Sequence, residues 1–296
     1  MKEKGFKNQV FPQLVALGVV AICGGVLLIA QPILAYEDRD FGYSDFGHQP
    51  DSPNSSRVSH RSPESSLLSP EEYERELQAE RLVNEGLDYL FNDNEQSALE
   101  SFNQAIEVIP NHETAHLYCG QLYHRMGNYQ AAIESYTQAL ERNPTFSYLY
   151  NSRGAVREQV EDYEGALIDY TQAITLYPED GIGYNNRGAL HLKLGDYEAA
   201  IADFNWAIAY NSGYAAAYAN RAELRLQLED KTGAMTDLNQ AIELNSSLAE
   251  VYVRRAELRA QMGDQEGSIS DLQIVDQLEQ TGQAQRLTAT GILIQF

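Results

Sequence analysis

Cysteine is nearly absent from this chain: 296 residues contain two, Cys23 and Cys119. That excludes a disulfide framework and a cysteine-rich metal site. Basic residues are also scarce. Twenty-one Lys+Arg stand against 43 Asp+Glu, a formal net charge of −22. The first 35 residues carry +2 (Lys2, Lys4 and Lys7 against Glu3), which leaves −24 on the rest. A surface of that sign repels phosphate, so nucleic acid is excluded as a partner and adsorption to anionic lipid is disfavoured. No G-x-S-x-G elbow and no phosphate-binding glycine loop occurs, so nothing here points to an enzyme or a cofactor. Tryptophan occurs once, at Trp206, whereas tyrosine occurs 19 times. Hydrophobic residues make up 43 % of the chain, too many for a fully disordered one.

The N-terminus reads as a targeting segment. A basic start is followed by an uncharged apolar run from Leu14 to Ala30, then Pro32 and the small residue Ala35, and acids begin at Glu37. This is the layout of a secretory signal. The run is also nearly long enough to cross a bilayer, so residues 1–35 are either a cleaved signal or a retained anchor, with residues 10–34 as the tether. Both place the bulk of the chain outside the cytoplasm, in a periplasm or a thylakoid lumen. Residues 36–69 are rich in Ser and Pro and keep no hydrophobic period, as a disordered linker would. Ser69-Pro70-Glu71-Glu72 then reads as a helix start.

From about residue 79 the chain repeats every 34 residues. Gly86, Gly120, Gly154 and Gly188 form one row, continued by Ala222 and Ala256. Phe102, Tyr136, Tyr170, Phe204, Leu238 and Leu272 form another. Alanines at 98, 132, 166, 200 and 234, alanines at 105, 139, 173, 207 and 241, and Pro110, Pro144 and Pro178 keep the same register. Within a unit, Tyr150, Gly154 and Arg157 share one helical face, Glu161-Asp162-Tyr163 makes a turn, and Ala166, Tyr170 and Ala173 share the face of a second helix. Neither helix can bury its face alone, so stacked units must build the core. The expected units are 79–112, 113–146, 147–180, 181–214, 215–248 and 249–282, within a domain 70–282 and before a tail 283–296.

This pattern resembles the tetratricopeptide repeat family, in length, residue type and register, over about two-thirds of the chain. The wording of 184–204, YNNRGALHLKLGDYEAAIADF, is similar to repeats of exported cyanobacterial proteins. The resemblance implies an all-α fold: a right-handed superhelical solenoid of six helix-turn-helix hairpins. It also implies a non-catalytic scaffold that binds an extended protein segment in a concave groove, with a role in assembling membrane complexes.

The chain departs from that family in one respect. Arg153, Arg187, Arg221 and Arg255 precede the Gly/Ala row, and Asp169, Asp203, Asp237 and Asp271 precede the second-helix row, in the same four repeats. Because they occur together, they read as structural ion pairs, a buried guanidinium needing a carboxylate. Whether each Arg takes its own repeat's Asp or the preceding one is open. Arg157, His191, Arg225 and Arg259 follow four residues later. The groove candidates are first-helix residues away from the packed stripe: Tyr148, Asn151, Ala155, Asn185, Asn186, Ala189, Leu192, Asn220, Glu223, Arg254 and Glu257. Their amides suit a peptide backbone. His112, His116 and His124 are the only clustered histidines. They read as helix-face residues, with no metal assigned, and an acidic metal-delivery protein is the alternative that they leave open. Cys119 reads as a small buried residue. The terminal run Gly291 to Phe296 is apolar and β-prone, and is expected to bury itself against the sixth repeat or in a homodimer.

Overall fold

The computed structural model describes residues 69–287 and 293–295. The signal or anchor at 1–35 and the linker, Ser69 apart, lie outside the described residues. Among the described residues no helix is long and apolar enough to cross a membrane.

Among the described residues twelve helices form six antiparallel hairpins. The first helices are α1 (Pro70–Phe91), α3 (Glu113–Arg125), α5 (Ser147–Gln159), α7 (Gly181–Leu194), α9 (Ala215–Gln227) and α11 (Ala249–Gln261). The second helices are α2 (Glu95–Val108), α4 (Tyr129–Arg142), α6 (Tyr163–Leu176), α8 (Tyr197–Tyr210), α10 (Lys231–Leu244) and α12 (Gln265–Gln280). The two helices of each hairpin pack together, and each of the first five second helices packs on the first helix of the next hairpin. Ser69 caps α1 with a capping box: its Oγ accepts from Glu72 N at 3.2 Å, and its own N–H donates to Glu72 Oε2 at 2.8 Å. Every second helix starts on a simpler side-chain cap. Asn94, Asn128, Asp162, Asp196, Asp230 and Asp264 each accept a backbone N–H from three residues on. The residue before each cap is left-handed: Asp93, Gly127, Glu161, Gly195, Glu229 and Gly263. All six hold a conformation that favours glycine, and three of them, Asp93, Glu161 and Glu229, are not glycine.

The matched rows explain the packing. A Cβ built on Gly86, Gly120, Gly154 or Gly188 would stand 2.5, 2.7, 2.7 or 2.9 Å from the ring of Phe102, Tyr136, Tyr170 or Phe204. The ring lies where a side chain would be, so a large second-helix residue requires a bare first helix. The last two repeats make the reverse exchange: Ala222 and Ala256 come with the smaller Leu238 and Leu272.

Leu272 is 45 % exposed, whereas its five counterparts are buried. No further hairpin covers it. The tail instead forms a short antiparallel pair, β1 (Gln285–Leu287) with β2 (Leu293–Gln295), in the register Gln285 to Gln295. Strand β1 lies against α11, and Ala284 is buried with Ala249, Tyr252 and Val275. Among the described residues β1 thus lies on the sixth repeat and pairs with β2, while Gly291, Ile292 and Phe296 of the apolar terminal run lie outside them.

Candidate functional site

The four arginines each fork onto the aspartate of their own repeat. Nε and one terminal nitrogen of Arg153, Arg187, Arg221 and Arg255 donate to the two oxygens of Asp169, Asp203, Asp237 and Asp271 at 2.7–3.0 Å. The other terminal nitrogen reaches the second helix of the preceding repeat, at Thr137, Thr171, Asn205 or Asn239, over 2.7–3.1 Å. A tyrosine three residues earlier lies over each guanidinium at 5.4–5.9 Å. Each arginine therefore ties three helices. The hydrogen bonds that Arg187 donates to Asp203 hold it above the ordinary arginine range.

Arg157, Arg225 and Arg259 add a second cation to Asp169, Asp237 and Asp271 at 2.7–2.9 Å and also donate to Gly165, Gly233 and Gly267 carbonyls. In the fourth repeat His191 takes this place. It faces Asp196 at 3.6 Å, so Asp203 keeps a single arginine. With these guanidiniums committed internally, the rows offer no free stripe to an anion.

The candidate groove residues separate into two groups. Asn151, Asn185 and Asn186 are buried, at 7, 0 and 2 % exposure, and do not face solvent as free helix amides would. Stacking explains this, because the next first helix covers them. Asn185 Oδ1 accepts from Asn220 Nδ2 at 2.9 Å, which corrects its reading as an open contact residue. Asn151 Oδ1 and Asn186 Oδ1 have no hydrogen-bond partner. Tyr148 accepts from Gln121 Nε2 at 3.2 Å, and burial pushes its hydroxyl up to about 12. Ala155 is buried as well. Ala189, Leu192 and Glu223 are half-buried, while Arg254 and Glu257 are exposed. Arg254 lies 3.6 Å from Glu223 and 3.3 Å from Glu257, so that end is polar and net acidic. Glu158, one turn past Ala155, is buried and accepts from Tyr170 Oη at 2.5 Å. Burial raises the Glu158 carboxyl above its usual range.

Tetratricopeptide repeat family models match residues 114–146, 182–214 and 215–248. Solved structures match over about two-thirds of the chain. PilF of Pseudomonas aeruginosa aligns with a TM-score of 0.60 at 21 % identity, covering 69 % of this chain and 93 % of that one. PilW, described as a widely conserved type IV pilus biogenesis factor, aligns with a TM-score of 0.61 at 17 % identity, covering 69 % and 96 %. A tetratricopeptide repeat protein of Parabacteroides merdae gives 0.58 at 24 % identity, covering 68 % and 80 %. At such identities these structures establish the fold alone. No curated protein matches at significant similarity.

Three of the chain's six hairpins thus match the tetratricopeptide repeat models.

Its histidines are used inside that repeat framework. Residues 112–116 spell H-E-x-x-H, the zinc-hydrolase signature, which the reading of these histidines as helix-face residues passes over. The signature needs both histidines on one helical face with free ring nitrogens. Here His112 is the N-cap of α3, its Nδ1 accepting from Ala115 N at 3.3 Å. His116 Nε2 lies 2.8 Å from the Pro110 carbonyl, and Glu113 accepts from Asn143 at 2.9 Å. Among the described residues no group of three or more His, Cys, Asp or Glu could hold a metal ion. The metal-delivery alternative therefore gains no support from the histidines. Cys119 is buried near Asn103 Oδ1 at 3.8 Å, and burial pushes its thiol up to about 12, which makes it unreactive.

Proposed function

We propose that this tetratricopeptide repeat protein is a non-catalytic scaffold that holds an extended segment of a partner protein along its first helices. The observation that carries this is the set of first-helix residues that stacking leaves uncovered: half-buried Ala189 and Leu192 give a small apolar tract, and Glu223, Arg254 and Glu257 a polar end.

The class of role we assign is assembly of a membrane-associated complex, in line with the pilus biogenesis role described for PilW. Export, or tethering through residues 10–34, belongs to the same proposal, and the −24 carried beyond residue 35 suits a partner that is not nucleic acid. A homodimer through the C-terminal end is a further element of this reading.

The test is site-specific photo-crosslinking in the full chain. A photoreactive residue at Ala189 should label a discrete protein that the same residue at Ile168, 61 % exposed and away from the first helices, does not. Equal labelling from both positions, or none from Ala189, would refute the groove.

A further inference from the structure

Trp206, the chain's one tryptophan, stands on the surface of the fourth hairpin with 52 % of it exposed, and Tyr210, one turn further along α8, is 41 % exposed. Tyr184 reaches them from α7. The ring centroids lie 5.6 Å (Tyr184 to Tyr210), 5.7 Å (Trp206 to Tyr210) and 6.3 Å (Tyr184 to Trp206) apart, with planes within 32° of parallel. Those three distances make a triangle, not a column, so the rings form a broad platform. The neighbouring repeats do not build it. They carry Gln172 and Gln240 at the place of Trp206, and Leu176 and Leu244 at the place of Tyr210. Hairpin stacking therefore does not require this aromatic pair.

Charge and hydrogen-bonding capacity narrow what fits. No charged residue occurs from Phe204 to Asn220, in a chain of which 22 % is charged, so α8 offers an ion pair nothing on this face. Arg187 lies over the Tyr184 ring at 5.9 Å but is forked onto Asp203. Near-parallel rings also do not enclose a cation as a cage would. The amides on either side of the aromatic pair in the chain, Asn205 and Asn211, have their oxygens in use. Asn205 Oδ1 accepts from Arg221 at 2.8 Å, and Asn211 Oδ1 accepts from Gly213 N at 3.1 Å. Both therefore offer mainly N–H donors, and the Trp206 indole is a donor only. The fitting ligand is uncharged, flat-sided and richer in acceptors than in donors. An ordinary peptide brings one N–H for each carbonyl, and a sugar hydroxyl both donates and accepts. A proline-rich segment brings carbonyls with few N–H groups, in an extended helix that has no internal hydrogen bonds.

We propose that the platform of Tyr184, Trp206 and Tyr210 binds a proline-rich segment of a partner protein in the polyproline II conformation, its pyrrolidine rings lying on the aromatic faces and its carbonyls accepting from the Trp206 indole and the flanking amides. Aromatic surfaces recognise such segments because the ligand is already ordered and loses little conformational freedom on binding. The site uses α8, which the groove along the first helices does not, and gives the scaffold a second protein-binding surface.

The experiment titrates the full chain with decaproline and reads tryptophan fluorescence, which Trp206 alone contributes. A saturable shift of the emission is expected, at least tenfold weaker in affinity with a Gly/Ser decapeptide. Tyr210→Leu, which copies Leu176 and Leu244, keeps the reporter and the fold and should weaken binding at least tenfold. Trp206→Gln, which copies Gln172 and Gln240, should do the same when the heat of binding is read instead. Circular dichroism checks that both variants stay helical. Cellohexaose and phosphatidylcholine vesicles stand for the other flat or apolar occupants. A response to either that exceeds the response to decaproline would overturn the proposal, in favour of a glycan or a lipid surface. Equal responses to decaproline and the Gly/Ser peptide, no saturable response to decaproline, or one that survives both substitutions would overturn it as well. The crosslinking from Ala189 reads the groove and is independent of these results.

Discussion

Replacing Arg187 by alanine should cost more than replacing Arg153, although both side chains make the same fork. Without Arg153, Asp169 keeps the Arg157 guanidinium at 2.8 Å. Without Arg187, Asp203 keeps no cation, because His191 sits at the second-arginine position and faces Asp196 instead. A buried carboxylate left without its partner costs about 3–5 kcal/mol. Losing charge-assisted hydrogen bonds while a second cation remains costs about 1.5–3 kcal/mol. Arg187→Ala should therefore exceed Arg153→Ala by about 1–2 kcal/mol. For a domain of this size 1 kcal/mol moves the melting temperature by about 2–4 °C, so the two variants should fall by about 10 and about 6 °C. Urea unfolding followed by helical circular dichroism measures this. Repeat arrays can lose cooperativity, so hydrogen exchange of α7 and α8 should be read alongside. The double variant Arg187→Ala with Asp203→Ala should recover at least half of the loss. Equal costs for the two arginines, or additive losses in the double variant, would refute the reasoning.

Three other outcomes are expected. Gly188→Ala places a Cβ 2.9 Å from the Phe204 ring and 3.1 Å from Asp203 Cβ, and should cost about 1–3 kcal/mol by chemical unfolding. Adding Phe204→Leu, which copies the Ala222 and Leu238 pairing, should restore most of it. Glu161→Gly and Glu229→Gly, at φ of 60° and 61°, should each raise stability by about 0.5–1 kcal/mol, whereas Gly195→Glu should lower it. Asp180 has its carboxyl raised by burial to about 6, so its protonated form is favoured in the folded state and its contribution is lost as pH rises through that value. Asp180→Asn keeps an oxygen for the Ile182 N–H, now accepted at 3.0 Å, and removes the charge. After discounting for residual solvent contact, the variant should be about 1–2 kcal/mol more stable at pH 8 and no different at pH 4, by thermal unfolding at both values.

The hairpins were legible in the sequence because a 34-residue period fixes which residues share a helical face and where each helix stops. Gly188 and Phe204 announce their contact by register alone, and the joint arrival of Arg and Asp announces the ion pairs. Side-chain choices of this kind act within one hairpin, where sequence separation and helical geometry leave little freedom. The angle and offset between successive hairpins are not written in any single row. Arg187 lies 16 residues before Asp203 and 18 after Asp169, and only the packed structure selects Asp203. The same inter-repeat geometry buries Asn151, Asn185 and Asn186, which the sequence presents as exposed amides, and joins Asn185 to Asn220. It leaves His124 and Tyr136 without partners where Glu158 and Tyr170 have each other. Periodicity identifies the face of a helix, but burial and satisfaction depend on what the next repeat places against that face, and only tertiary packing decides that.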